Sequence, residues 1–80
     1  MFVKNSERIV IEGDSVIDEK LAARFYATID LTDPKKIVLN TRHINTELCK
    51  ERRAEVRADE VEFEDYAYSV QDNVLAANQN

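Results

Sequence analysis

Lys20-Leu21-Ala22-Ala23-Arg24-Phe25-Tyr26-Ala27-Thr28-Ile29-Asp30-Leu31 decides the fold, because it supports two opposite readings. Taken by twos, Leu21, Ala23, Phe25, Ala27, Ile29 and Leu31 fall on one face and Arg24, Tyr26, Thr28 and Asp30 on the other, the period of a half-buried strand. Taken by fours, Ile17, Leu21, Phe25 and Ile29 form the stripe of an amphipathic helix that Asp14 or Ser15 would cap. The strand is preferred, since Phe25-Tyr26-Ala27-Thr28-Ile29 is rich in strand formers and the next residues, Thr32-Asp33-Pro34-Lys35, suit a turn with proline in its second position. Ile37-Val38-Leu39 then returns as the partner strand of a hairpin around Pro34.

Upstream, Arg8-Ile9-Val10-Ile11-Glu12 is short and β-branched, and Gly13-Asp14 after it reads as a turn, which predicts a first strand. Downstream the texture changes. Asn45 or Thr46 can cap a helix, Glu47 adds an acid to its first turn, and neither glycine nor proline interrupts the chain after Pro34. The expectation is one α+β domain over residues 1–80: a small antiparallel sheet of two or three strands within 1–43, followed by one long C-terminal helix over 44–77.

Cys49, Val56, Phe63, Val70 and Ala77 recur along that helix at intervals of seven, joined by Tyr66, Ala67 and Val74 in its second half. In the first half, Arg52, Arg53, Asp59 and Glu60 stand where a coiled-coil seam would place its second apolar residue, so a continuous coiled coil is not expected.

The chain has 80 residues and a formal charge of −5. A domain of this size buries only about 60% of its unfolded surface, and such small domains commonly add stability by association. The whole acidic excess lies in residues 44–80, which hold four Lys/Arg against nine Asp/Glu, whereas residues 1–43 are balanced at seven each. That balance disfavours direct binding to nucleic-acid phosphates or anionic lipid. Cys49 is the single cysteine, so no disulfide can form within the chain and a reducing compartment is expected. The N-terminus reaches charge at Lys4 before any apolar run could act as a signal-peptide core, and no stretch approaches the roughly 18 apolar residues of a membrane span. The cytoplasm is the expected address, with no membrane partner.

No catalytic, metal or nucleotide motif is present. Asp59, Glu62 and their neighbours lack the glycine turn and spacing of a calcium loop. His43 has no nucleophile or carboxylate at a recognisable spacing, which fits a junction or surface residue better than a general base. Cys49 lies beside Lys50, a neighbour that can lower a thiol pKa, but a helical cysteine without a motif is usually a small packing residue. No cofactor, no metal and no enzyme activity are expected.

The charge pattern of the helix is more informative. Lys50, Arg52, Arg53 and Arg57 form a basic block, and Asp59, Glu60, Glu62, Glu64 and Asp65 an acidic one. Two such helices laid antiparallel would set basic on acidic twice, with Val56 and Phe63 near the centre, and isologous contacts of that kind suit a twofold dimer. The plainer reading is a solvated face with local Arg52/Glu55 or Arg57/Glu60 pairs, each contributing a few tenths of a kcal/mol.

The succession Ala27-Thr28-Ile29-Asp30-Leu31-Thr32-Asp33-Pro34, Ile37-Val38-Leu39-Asn40-Thr41, Arg52-Arg53-Ala54-Glu55-Val56-Arg57-Ala58-Asp59, Phe63-Glu64-Asp65 and Val70-Gln71-Asp72 resembles small uncharacterised prophage-encoded proteins of Gram-positive bacteria. The resemblance covers about residues 25–72 and implies a tail, baseplate or accessory role, which would add the virion as a location. The resulting expectation is a non-catalytic interaction or assembly protein, binding a protein partner or itself as a homo-oligomer through Val56, Phe63, Tyr66, Val70 and Val74. The alternative is an acidic inhibitor that imitates DNA before a host nucleic-acid-binding enzyme, using Asp59, Glu60, Glu62, Glu64 and Asp65.

Overall fold

The computed structural model describes residues 1–2 and 7–77. It has three strands, β1 (Arg8–Ile17), β2 (Lys20–Asp30) and β3 (Ile37–His43), then two helices, α1 (Thr46–Glu51) and α2 (Arg53–Ala77). The strands form an antiparallel meander in the order β1-β2-β3. This is the expected α+β architecture, with the stretch from Lys20 as the central strand and the hairpin around Pro34.

Three details differ from the sequence reading. Gly13-Asp14 is not a turn: β1 runs through it to Ile17. The chain reverses instead at Asp18 and Glu19, whose φ angles of 52° and 65° are those of a tight two-residue hairpin turn. What Gly13 supplies is room, because the Phe63 ring lies directly over it. The long helix is also divided. Arg52 leaves helical geometry at φ −116° and ψ 41°, ending α1 and starting α2 on a new axis.

The break follows from how α1 is anchored. Ser15 pairs with Ala23 and Val16 with Leu21, which leaves Ala22 as the extra residue of a β-bulge. The Ala22 carbonyl accepts the Ile44 and Asn45 amides, both at 3.0 Å, and the Cys49 thiol at 3.2 Å. Asn45 caps α1, its Oδ1 accepting the Leu48 amide at 3.0 Å. The bulge thus ties the start of α1 to β2, and the helical path breaks at Arg52 before α2 packs on the sheet.

α2 covers one sheet face. Its apolar stripe is narrow, and small residues let helix and sheet approach closely: Ala22, Ala23, Ala27 and Ala67 are fully buried. Ile17, Ala22, Ala23, Phe25, Cys49 and Val56 form the main cluster, with Leu48 and Phe63 packed on it. The Phe25 and Phe63 rings meet at 5.4 Å between centroids, tilted by 30°.

Candidate interaction surface

Polar latches hold α2 to both outer strands. The hydroxyl of Ser15, a fully buried β1 residue, donates to Asp59 Oδ2 at 2.7 Å. From β3, Thr41 Oγ1 donates to Glu60 Oε2 at 2.8 Å. Near the other end, Gln71 Nε2 donates to the Pro34 and Lys35 carbonyls at 2.9 and 3.2 Å. Asp59 and Glu60 are consecutive, yet they reach opposite strands, so the helix straddles the sheet and has a β1 flank and a β3 flank.

The β3 flank is cationic. A groove of about 480 Å³ is lined by His43, Lys50, Arg53, Arg57 and Glu60 over a floor of Cys49 and Val56. None of these four basic residues lies within ion-pair distance of a carboxylate among the described residues. The β1 flank is anionic. A groove of similar volume, about 480 Å³, is lined by Asp14, Asp59 and Glu62 beside Phe63 and Tyr66, Asp14 being paired with Arg24 and Asp59 bonded by Ser15.

The block residues therefore separate across the helix as well as along it. Of the basic block, Arg52 alone leaves the β3 flank: it bonds Asp18 at 2.9 Å and Glu55 at 2.8 Å, stapling the first hairpin to the helix break. Those bonds, led by the one to Glu55, raise its pKa above the ordinary arginine value. Of the local pairs expected, Arg52/Glu55 is present, whereas Glu60 is taken by Thr41 rather than Arg57. The acidic block is not one surface: Asp59 and Glu60 are spent on opposite strands, while Glu62 and Asp65 are exposed.

The expected apolar contact residues also divide. Val56 is buried in the chain's own core, and Phe63 packs there with it, so neither is available as a seam between copies. Val70 and Val74 are half-buried on the same helix, and Tyr66 is 58% exposed above the anionic groove. Periodicity along a helix does not say whether an apolar stripe meets a partner or the chain's own sheet.

No helix among the described residues covers the second sheet face. Val10 and Val38 are 58% and 64% exposed there, flanking Thr28 in one cross-strand row. Arg24 on this face donates from Nε to Asp14 at 3.0 Å, and this bond keeps its pKa above the ordinary value.

His43 is exposed in the cationic groove, and the buried Cys49 thiol is occupied by the Ala22 carbonyl. Among the described residues no three His, Cys, Asp or Glu side chains cluster as a metal site. No described helix is long and apolar enough to cross a membrane. No protein-family model, curated protein or solved structure matches the chain.

Proposed function

We propose that this protein is a non-catalytic assembly protein whose copies bind one another, in the phage or prophage setting implied by the resemblance over residues 25–72. The observation that carries this reading is the opposition of the two α2 flanks. Lys50, Arg53 and Arg57, which have no ion-pair partner among the described residues, line the β3 groove, and carboxylates line the β1 groove of the same molecule. A chain that is net anionic gains little by concentrating free cations on one flank unless something negative meets them, and a second copy offers the matching surface.

The contact shifts from the one expected from sequence. Val56 and Phe63 belong to the core, so self-association uses the flanks of the helix rather than its apolar stripe. Mimicry of DNA has less support, because the carboxylates it needs diverge to two strands.

The test is the mass of the chain in solution by light scattering over a concentration series at low and high salt. Association at low salt that weakens as salt rises is the expected result, since screening reduces contacts between exposed charges. A single-chain mass under every condition would remove the self-assembly reading.

A further inference from the structure

We infer that copies join directionally, the β3 edge of one against the β1 edge of the next, so that sheet and helix layer both continue from copy to copy. The inference rests on the self-association reading and specifies its geometry. Both strands pair only with β2 among the described residues, which leaves two outer edges of backbone donors and acceptors. Because each is antiparallel to β2, β1 and β3 run in the same direction. A copy added in the same orientation therefore meets the β3 edge with a parallel β1.

The register inside the sheet shows what such a copy would bring. Its cross-strand rows include Ile9–Ile29–Ile37, Val10–Thr28–Val38, Ile11–Ala27–Leu39 and Asp14–Arg24–Arg42. Extending each row by one copy sets Ile37 beside Ile9, Val38 beside Val10, Leu39 beside Ile11, and Arg42 beside Asp14. Apolar ends meet apolar ends on both faces, and the charged row ends on opposite signs. Cross-strand neighbours of these kinds each stabilise a sheet by about 0.2–1 kcal/mol. The regular part of β1, Arg8 to Ser15, also suits the seven residues of β3 in length.

The helix layer agrees. Three strands spaced by about 4.8 Å put successive α2 helices about 14 Å apart, close to a helix diameter with side chains of about 10–12 Å. At that distance Arg53 and Arg57 of one copy face the carboxylate flank of the next, where Glu62 is exposed. Pairing like edges twofold would instead bring cationic flank to cationic flank, or anionic to anionic. The charges thus favour a head-to-tail contact, which yields a ring of three or more copies or an open row rather than a closed dimer.

Light scattering on the full chain, with two variants, tests this. Arg42, Arg53 and Arg57 are exposed and make no ion pair among the described residues, so R42E and the double variant R53E/R57E should keep the wild-type circular dichroism spectrum. The expected wild-type mass rises past two chains with concentration. Each variant should associate at least about tenfold more weakly, as reversal of an interfacial charge does. A small fraction of R42E added to wild type should lower the mean mass, because it still binds through its β1 edge but offers no β3 edge to the next copy. A plateau at two chains would overturn the directional contact while leaving self-association standing, and single-chain mass throughout would overturn both.

Discussion

Phe63 lies on Gly13: a Cβ built there would sit 2.7 Å from Cδ2 of the ring and 3.1 Å from Cε2. No glycine among the described residues has a positive φ, so the demand at this position is for space rather than for backbone freedom. Gly13→Ala is expected to destabilise the fold by about 1–3 kcal/mol, the usual cost of overpacking. Adding Phe63→Leu should recover part of that loss. Urea unfolding of the two variants checks the pair, and a wild-type midpoint for Gly13→Ala would show that the ring moves aside freely.

Ser15→Ala removes the buried hydroxyl that donates to Asp59. Asp59 is partly exposed and can turn to water, so the expected loss is about 1–2 kcal/mol, the lower range for a hydrogen bond to a charged group. A double-mutant cycle with Asp59→Ala isolates the bond, and additive effects would mean that it contributes nothing to docking α2.

Glu19 adopts a φ of 65°, where a side chain is strained and glycine is not. Glu19→Gly should therefore raise the thermal midpoint, with a gain of up to about 1 kcal/mol. Asp18 is left in place in this variant because it holds Arg52. A lowered midpoint would contradict the assignment of strain to this residue.

The Asp30 carboxylate accepts the Thr32 hydroxyl at 2.6 Å and its amide at 2.9 Å. These bonds, the hydroxyl first, lower its pKa below the ordinary 3.8. A depressed native value means that the stabilisation is complete above the unfolded-chain pKa and is lost as pH falls through the native one. Thr32→Val should move the Asp30 titration upward, and the stability gap between variant and wild type should close toward acid pH. Carboxyl NMR titration reads this directly, and an unmoved Asp30 curve in the variant would refute the assignment.

The central strand was legible because its alternation of side chains is local and survives any choice of partner. The first hairpin was not. Gly13 resembles a turn residue, but its role depends on Phe63, distant in sequence, while the real reversal uses Asp18, a common first residue of such turns, followed by Glu19 where glycine is usual. The break at Arg52 carries no glycine or proline because it is imposed by the Ala22 carbonyl beneath α1. The charge blocks were visible as runs along the helix, but their division into two flanks required knowing that Asp59 and Glu60 reach different strands.

The meander has a consequence for the order in which the chain organises itself. Each strand pairs with its neighbour in sequence, so the sheet can form by successive hairpins with little loop entropy to overcome. The latches on α2 join residues 44 apart for Ser15–Asp59 and 37 apart for Gln71–Pro34. Only Thr41–Glu60, 19 apart, is as local as the strand pairs, so until the longer latches close, the inner face of the sheet and Phe25 are open to whatever chain is nearby.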